Sequence, residues 1–484
     1  MNQRPDEIRV AIIGGGLAGL SAAFRIREEL RLADNLFELV LYEQEQNCGG
    51  ATRTKHVDGM TLEHGPNGWL SSEPLTARLI GELGLSSQLV SADESAGHRF
   101  VFTRNRLQRV PDSPAKFLTT RLLSPWEKLR VAREYLTSPR TNNEDETIFD
   151  FGCRRLGRGF AETMLDPMVS GIFAGDIHQL SLPSTFPKMR SMELEYGGLF
   201  KAMFARKREK KTNPNGSSNP GPSGPAGVLT TLQNGTGQLT GVLETTLKDI
   251  IRPGVTVAGL SKENGRFVVW SDGRKEPFDA VVMAVPAHRA CGIVDNLNPE
   301  VGRTLQKIAF ANVAVVCHAY DRNSLPVTLN GFGHLIPRRD GIRALGCLWT
   351  SCIFPNQAPT GTVLLRTILG GAHDPEILSL SDSELLDLVT SSTASALGIN
   401  TAPFQTWIFR HPSGIAQYNL GHRERVQKVE QFCEELPGLA FVGASYRGVA
   451  LNRCVRDAYT IAPRVLLPFG IRASSLNDRS LPQK

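Results

Sequence analysis

The stretch that most constrains the fold of this chain lies near its start, where residues 12–24 read IIGGGLAGLSAAF. The apolar residues 8–13 predict a short buried strand, and the residues from 17 to about 32 predict a helix. Three glycines at Gly-x-Gly-x-x-Gly spacing join the two elements: Gly14, Gly16 and Gly19. A strand, a glycine turn and a helix in that order predict an α/β fold with a Rossmann-like domain.

The glycine turn has the chemistry of a dinucleotide site. Its first glycine allows the sharp turn, its second lets the backbone approach a pyrophosphate, and its third allows close helix packing. The helix N-terminus offers free amides to the phosphates. A second predicted strand, 37–43, ends in an acid where a ribose hydroxyl would bind. The predicted contacts are Gly14, Gly15, Gly16, Leu17, Ala18, Gly19 and Glu43.

Composition limits the class of protein. A chain of 484 residues with 41% hydrophobic and 21% charged residues predicts a soluble protein of two or three domains. The polar start MNQRPDEI is unlike a signal peptide, and no apolar run reaches the length of a membrane span, so we expect a cytoplasmic location. The eight cysteines form no Cys-x-x-Cys pair, which predicts reduced thiols and no metal site.

Residues 206–227 differ in composition from the rest of the chain. They begin in the basic ARKREKK segment and continue into TNPNGSSNPGPSGPAG, which has almost nothing to bury. We expect a disordered insert. No aromatic residues interleave with the basic ones, so we expect a solvated loop flank and no nucleic-acid partner.

A helix is predicted to begin at Ser124 in SPWEKLRVAREYL, because Ser124 and Glu127 have the spacing of a capping box around Pro125. Four residues then form one apolar stripe: Trp126, Leu129, Ala132 and Leu136. General base rates favour packing of this stripe in the core. The upstream AKFLTTRLL segment adds apolar residues beside Lys116 and Arg121, which is typical of a membrane-surface helix. The sequence leaves both interpretations open.

The distant segment 439–455 repeats the logic of the start, because LAFVGASYRGVALNRCV reads as a strand, a glycine turn and a helix. Between the two lie predicted strands at 255–260, 266–273 and 278–286. Two nucleotide-contacting turns so far apart predict one domain assembled from separated segments.

These segments carry a family resemblance. The first turn, CGGATRT at 48–54, LEHGPNGWL at 62–70 and the late FVGASYRGV motif are similar to the flavin-containing amine oxidase superfamily. The segments 151–182, 331–339, 344–359 and 416–422 resemble the protoporphyrinogen oxidase family within it. The resemblance spans roughly residues 8–465 without the insert.

The resemblance implies three parts. An FAD-binding domain would comprise 1–90, 228–297 and 433–470, and a mixed-sheet substrate domain would comprise 298–432. A helical membrane-associating domain would comprise 98–205. The late motif lacks the cysteine that attaches flavin covalently in some amine oxidases, so the implied cofactor is non-covalent FAD.

The resemblance also implies site residues. Further FAD contacts would be Arg53, Gly65, Pro66, Asn67, Val257, Gly443, Gly448 and Val449. Arg99 would pair with a propionate of the substrate, since its planar, permanently charged fork suits a carboxylate. Apolar and small residues would contact the macrocycle: Gly175, Leu335, Leu348 and Ile368, the last at a position where some relatives have phenylalanine.

The implied reaction is FAD-dependent oxidation of protoporphyrinogen IX by dioxygen, giving protoporphyrin IX and hydrogen peroxide in heme biosynthesis. His64 and His422 lack persuasive catalytic partners in the sequence, so we expect no catalytic acid or base and a rate set by positioning and the cofactor. The implied setting is the cytoplasmic face of a membrane, with peripheral association, a homodimer and product hand-off to ferrochelatase as further expectations.

Three alternatives remain. Relatives that oxidise coproporphyrinogen III to coproporphyrin III bind four propionates, and Arg338, Arg339 and Arg343 could serve the extra carboxylates. An amine oxidase of the same superfamily would need an aromatic cage, for which Tyr446 alone stands near the late motif. A non-catalytic protein of the Rab-escort type would keep the fold without the flavin, although the complete phosphate turn argues against it.

Overall fold

The computed structural model describes residues 7–142, 144–212 and 227–471. The strands are β1 Ile8–Ile13, β2 Phe37–Glu43, β3 Thr54–Val57, β4 Met60–Glu63, β5 Trp69–Leu70, β6 Leu89–Ser91, β7 Arg99–Thr103, β8 Arg106–Arg109, β9 Leu229–Leu232, β10 Ile251–Pro253, β11 Val257–Glu263, β12 Arg266–Ser271, β13 Arg274–Phe278, β14 Ala280–Met283, β15 Phe310–Asp321, β16 Gly333–Leu335, β17 Ala344–Leu348, β18 Thr362–Gly370, β19 Gln405–Ala416 and β20 Leu439–Phe441. The α-helices are α1 Leu17–Leu32, α2 Pro74–Glu82, α3 Pro114–Thr119, α4 Pro125–Ala132, α5 Ile148–Arg155, α6 Arg158–Phe160, α7 Asp166–Phe173, α8 Leu182–Thr185, α9 Pro187–Tyr196, α10 Leu199–Thr212, α11 Gly237–Thr246, α12 Ala287–Val294, α13 Pro299–Gln306, α14 Thr350–Ile353, α15 Asp382–Leu397, α16 His422–Glu435 and α17 Leu451–Leu466.

A five-stranded parallel sheet forms the first layer, in the order β10-β2-β1-β14-β20. Its strands come from the start, the middle and the end of the chain, as the two glycine turns predicted. Alternate residues of β1 face opposite sides, so Val10 and Ile12 pack with α1 and α17 while Ala11 and Ile13 pack toward the antiparallel β11-β12-β13 sheet. The parallel sheet is therefore covered on both faces, which is typical of doubly wound folds.

A seven-stranded mixed sheet forms the second layer, in the order β19-β15-β18-β17-β16-β7-β8. One of its faces packs on α15 through an apolar cluster that includes Leu385 and Val389. The other face carries Val315, Cys317 and Leu364 and turns toward the first half of the chain. This second face positions the candidate site.

The helical part of the chain, predicted to span residues 98–205, begins later in the structure than predicted. Residues 99–109, assigned by sequence to the helical domain 98–205, form β7 and β8 of the mixed sheet. The parallel pairing of Arg99 with Gly333 across this sheet is the physical reason, and no local sequence pattern reports a pairing over such a separation. The helices from α3 to α10 then form the helical part.

The basic segment before the insert is also more ordered than expected. Helix α10 continues to Thr212, so residues 206–212 are helical and not part of a disordered insert. Lys, Arg and Glu favour helices, which explains the extension. The remaining residues of that predicted insert, 213–226, lie outside the described residues.

The capping box at the start of α4 is confirmed, because Ser124 and Glu127 exchange the two expected hydrogen bonds. The interpretation that this stripe packs in the core is wrong, because Trp126 and Leu136 are each 80% exposed and Leu129 is 54% exposed. Val131 fills the core position of this short helix instead. Within the described part of the chain, no helix is both long and apolar enough to cross a bilayer.

Candidate active site

The first glycine turn leaves an open space beside its backbone. Gly14 has a φ of +110°, which favours glycine, and a Cβ on Gly19 would collide with the Gly14 carbonyl. At Gly16, by contrast, a Cβ would meet nothing within 4 Å. The turn is therefore closely packed against the sheet and open toward the side where a phosphate would lie at the start of α1.

Glu43 braces this turn from the end of β2. One carboxylate oxygen accepts a hydrogen bond from the Gly15 amide at 2.7 Å, and the other accepts from the Glu45 amide at 2.9 Å. Ionised carboxylate oxygens keep further acceptor capacity, so Glu43 can still bind a ribose hydroxyl. Val257, also predicted near the nucleotide, follows a segment whose Val255 amide donates to the Glu43 carbonyl at 2.9 Å.

The 48–54 loop lies directly over the glycine turn. The Gly49 amide donates to the Gly15 carbonyl at 2.8 Å, and Gly16 and Gly49 form a parallel bridge. Arg53 donates through Nη2 to the Asn47 carbonyl at 2.7 Å, whereas its buried Nε has no partner among the described residues. The loop thus brings an incompletely satisfied cation beside the open side of the turn.

The late glycine motif closes the same site from the other end of the chain. A Cβ on Gly443 would lie 3.6 Å from the Ala18 Cβ, so this motif faces the start of α1. Asp457 accepts from the Gly443 amide at 3.1 Å and pairs with Arg447 at 2.8 Å. These contacts connect α17 to the turn that the sequence analysis predicted as a cofactor contact.

Tyr418 fixes the second half of that motif. Its hydroxyl donates to the Ala444 carbonyl at 2.7 Å and accepts from the Gly448 amide at 2.7 Å. Burial raises the pKa of Tyr418, so the hydroxyl stays protonated and can make both bonds. The His422 ring stacks on Tyr418 with a centroid separation of 3.9 Å. Val449 then leads into α17.

The 64–67 loop connects the parallel sheet to the face of the mixed sheet. The Arg366 guanidinium donates to the Gly65 carbonyl at 2.5 Å, and the His411 ring contacts the His64 carbonyl at 2.9 Å. On the other side, the Thr236 hydroxyl donates to the Pro66 carbonyl at 3.3 Å. Both polar atoms of the Asn67 amide are buried without partners in the described part of the chain.

His64 is a structural residue of this loop. Its ring stacks on Phe409 with a centroid separation of 3.9 Å, and burial lowers its pKa to about 4. A neutral ring at pH 7 follows from that pKa. His422 behaves similarly, since burial lowers its pKa to about 4.

Strand register brings four of the five predicted substrate residues to one face of the mixed sheet. Directly paired residues on neighbouring strands point to the same face. One row runs Arg99, Gly333, Leu348 and Arg366, and the next runs Val101, Leu335, Gly346 and Ile368. Side chains two residues apart share a face, so both rows form one surface. We call these eight residues the floor.

Arg99 stands at the outer end of the floor. Its guanidinium lies 5.0 Å from the ring centroid of Phe332, and its side chain reaches solvent. Desolvation lowers its pKa, yet no acidic side chain within the described ranges forms an ion pair with it. An arginine held on an aromatic ring without a carboxylate partner is well suited to bind a carboxylate ligand.

Gly175, the fifth predicted residue, lies beyond the end of β18. The Ala372 amide donates to the carbonyl of its neighbour Ala174 at 2.7 Å, which ties this turn to the end of the strand. A Cβ on Gly175 would collide with Leu180 and with the Gln417 amide oxygen, which has no partner among the described residues. A larger residue at this position would have to displace the ends of both side chains.

Some of the buried polar atoms without partners in the described chain lie in the segments between the glycine turn and the floor. They are Arg53 Nε, His64 Nε2, both amide atoms of Asn67 and Arg366 Nε. Buried polar groups normally have partners, so this series is where a ligand with donors and acceptors would bind. The backbone opening at Gly16 provides room for its phosphates.

Sequence reasoning missed the residues that hold these segments together, including Arg366, His411, Tyr418 and Asp457. Arg366 gave one signal, because it is the single charge in the apolar strand TVLLRTILG. The others gave none, since tyrosine, histidine and aspartate are common in segments of this kind.

Comparison with known proteins gives consistent matches over the length of the chain. Residues 17–466 match the family of flavin containing amine oxidoreductases. The chain is 31% identical to the coproporphyrinogen III oxidase of Bacillus subtilis strain 168, covering 92% of this chain and 95% of that protein. It is 30% identical to the protoporphyrinogen oxidase of Bos taurus, covering 94% of this chain and 98% of that protein. A crystal structure from Exiguobacterium sp. 255-15, provisionally assigned as a protoporphyrinogen oxidase, superimposes with a TM-score of 0.81 at 27% identity, covering 95% and 99%.

Proposed function

Because the chain belongs to the flavin containing amine oxidoreductase family, we propose that this flavoenzyme oxidises a porphyrinogen, with protoporphyrinogen IX as its substrate and FAD as its cofactor. Dioxygen would be the acceptor and hydrogen peroxide the second product. The relatives named protoporphyrinogen oxidase and coproporphyrinogen III oxidase support the substrate class, since each covers more than nine tenths of this chain.

One observation carries the proposal: the floor and the 64–67 loop meet at Arg366. The loop lies at the inner end of the floor, and Arg99 lies at the outer end. An apolar macrocycle with a carboxylate at one edge would cover Leu348, Leu335 and Ile368 while its carboxylate reaches Arg99. Its opposite edge would then face the loop predicted to flank the flavin.

The bound flavin would supply the redox chemistry by accepting a hydride, which is two electrons and one proton, from a methylene bridge of the macrocycle. The protein side chains bind and orient. Leu335, Leu348 and Ile368 exclude water from the macrocycle face, and Arg99 sets its direction through the carboxylate. His64 is neutral at pH 7 and stacked on Phe409, so it is unsuited to act as a general acid. We propose that no side chain of the chain serves as a catalytic acid or base.

The substrate can be tested directly. The purified protein, checked for flavin by its absorbance, would receive protoporphyrinogen IX and coproporphyrinogen III separately in air while porphyrin fluorescence is recorded. We expect a higher kcat/KM for protoporphyrinogen IX. A preference for coproporphyrinogen III would overturn that choice, and a flavin-containing protein inactive on both would overturn the porphyrinogen proposal.

Coproporphyrinogen III remains the second candidate because 31% identity to the Bacillus subtilis enzyme is no lower than 30% identity to the bovine enzyme. Of the three arginines that could serve extra carboxylates, Arg343 is already engaged, because it pairs with Asp374 through two hydrogen bonds of 2.8 Å. The Arg338 guanidinium contacts the His373 ring at 3.4 Å, and no carboxylate of the described residues forms an ion pair with Arg338 or Arg339.

The amine oxidase alternative is not favoured by the surroundings of Tyr446. Tyr446 is 3% exposed and packs edge-on against Phe441 at 5.8 Å, inside the apolar core. It therefore does not face the floor, and no other described residue forms a tyrosine pair with it.

We propose peripheral membrane association through α4 and its surroundings. Leu118, Trp126 and Leu136 are each at least 70% exposed, and basic residues such as Lys116 and Lys128 lie beside them. Exposed apolar residues flanked by basic ones favour an anionic lipid surface. A cytoplasmic membrane face, a homodimer and hand-off of product to ferrochelatase remain predictions of the family resemblance.

A further inference from the structure

A buried arginine lies where the 64–67 loop meets the floor. Arg366 is in the middle of β18 and is 4% exposed. Its Nη2 donates to the Gly65 carbonyl at 2.5 Å and contacts the His64 carbonyl at 3.4 Å. Its Nε has no partner within the described residues. Burial of a guanidinium is costly, so its presence in an apolar strand indicates a role.

The positive charge of Arg366 has no direct counter-ion. No carboxylate of the described ranges lies within ion-pair distance of it. The Glu63 carboxylate favours the charged form of Arg366 electrostatically but does not hydrogen-bond to it. Glu63 instead accepts hydrogen bonds from the Thr236 amide and hydroxyl, both at 2.7 Å, and from the Thr54 hydroxyl at 2.8 Å. Desolvation lowers the pKa of Arg366, but a guanidinium remains protonated in proteins.

The Arg366 side chain makes its hydrogen bonds to backbone carbonyls of the 64–67 loop. The His64 carbonyl has a second contact, the His411 ring at 2.9 Å, so two side chains from neighbouring parts of one sheet hold adjacent peptide groups. Phe409 adds a stacked contact to the His64 ring. Together these residues fix the loop against the floor, and Arg366 is the charged member of the group.

We propose that Arg366 is a positioning residue that holds the 64–67 loop and supplies a buried positive charge, with no carboxylate in direct contact, to the flavin bound beside it. The inference rests on the proposed function, because it takes this loop as the flanking segment of the flavin. A reduced flavin is an anion, so a fixed positive charge in a dry site stabilises it relative to the oxidised form. No sequence motif of the chain assigned this residue a role.

Sulfite provides a test that does not depend on turnover. It adds its lone pair to the oxidised flavin, forms a nitrogen–sulfur bond and leaves negative charge on the ring, and the flavin absorbance is lost. The dissociation constant for sulfite therefore reports positive charge near the ring. We would measure it in FAD-saturated holoenzyme for the wild type, Arg366→Lys, Arg366→Gln and the control Arg410→Gln.

The variants separate charge from hydrogen bonding. Arg366→Lys keeps the charge, and Arg366→Gln keeps a donor without charge. Arg410 lies on the opposite face of the same sheet and pairs with Asp382 at 2.5 Å. We expect at least tenfold weaker sulfite binding in Arg366→Gln, and changes below threefold in Arg366→Lys and Arg410→Gln.

Two results would overturn the inference: wild-type sulfite affinity in Arg366→Gln, or equal losses in the Lys and Gln variants, since the latter would indicate a purely steric role. If Arg366→Gln does not fold, the lysine variant still decides, because a tenfold loss there contradicts the charge role. A wild-type protein that binds FAD and sulfite but oxidises no porphyrinogen would overturn the proposed function and leave this inference standing.

Discussion

Arg99 shows how a single residue can be tested for a role in substrate binding. We expect Arg99→Ala to raise KM for protoporphyrinogen about 10- to 100-fold, because a charge-assisted hydrogen bond contributes about 1.5–3 kcal/mol. kcat should change much less, since the carboxylate lies far from the reacting bridge. Steady-state kinetics on the variant would measure both.

Arg106→Ala is the matched control for Arg99, since Arg106 is exposed on the neighbouring β8. Arg99→Lys should recover part of the affinity, because it retains the charge and loses the planar fork. An unchanged KM in Arg99→Ala would show that the carboxylate binds elsewhere.

His334 makes a prediction about stability and pH. It is 2% exposed, neither ring nitrogen has a partner among the described residues, and burial lowers its pKa to about 4. The unfolded chain takes up a proton near pH 6.5 while the folded protein does not, so its stability contribution is complete above pH 6.5 and is lost as pH falls toward 4. At pH 5 the loss is about 2 kcal/mol.

The test compares His334→Leu with the wild type in urea unfolding at pH 7 and pH 5. We expect the leucine variant to lose about 2 kcal/mol less between the two pH values than the wild type. The exposed His56→Gln serves as the control and should follow the wild type. Identical pH sensitivity in His334→Leu and the wild type would contradict the prediction.

At the scale of the element, α4 can be tested as a membrane contact. The double variant Trp126→Ser, Leu136→Ser removes one side chain of α4 and one of the turn that follows it, Arg133–Leu136; each is 80% exposed, so the fold should be unaffected. Insertion of such side chains contributes about 1.5–3 kcal/mol each, and we expect at least a tenfold loss of affinity for anionic vesicles. Vesicle co-sedimentation would measure the affinity.

The control for α4 is Leu36→Ser, which removes an apolar side chain of 73% exposure in the turn before β2. It should bind vesicles as the wild type does. Equal binding by the α4 variant and the wild type would exclude this helix as the lipid contact.

Elements differ in how well the sequence predicts them. Helix α1 was predicted at its observed bounds because the strand, the glycine turn and the apolar periodicity are all local. Strands β7 and β8 were placed in the helical part because the pairing of β7 with Gly333–Leu335, which brings this hairpin into the sheet, joins distant segments. The apolar stripe that begins in α4 has helical periodicity. Periodicity identifies an apolar face, but it does not show whether that face packs on the protein core or remains exposed.

The same limit holds for the candidate site. The contacts within the glycine turn follow from local geometry, and Glu43 at the end of β2 accepts a hydrogen bond from the Gly15 amide, while its contact with a ribose stays a prediction. Arg366 and Tyr418 act on loops about 300 and 30 residues away in sequence, so only the folded sheet reveals them. Family resemblance supplied Leu335, Leu348 and Ile368, and strand register explains why they share a face.

At the scale of the whole molecule, the proposed cofactor would join segments from both ends of the chain. The turn before α1 and the late motif meet between Ala18 and Gly443, and Asp457 and Arg447 hold the late motif to α17. A ligand that contacts both segments must stabilise the complete sheet, because neither segment forms the site alone. At an FAD concentration 100 times Kd, the added stability is about 2.7 kcal/mol.

We therefore expect the melting temperature to rise by about 3 °C between FAD-stripped protein and protein at an FAD concentration 100 times Kd, and to increase further with FAD concentration. The adenine nucleotide ADP should give a smaller rise, because it reaches the glycine turn and Glu43 but not the 64–67 loop. Differential scanning calorimetry would measure both. A melting temperature independent of FAD would contradict selective binding of FAD to the folded protein, and equal shifts from ADP and FAD would show that contacts between the flavin ring and the 64–67 loop add no affinity.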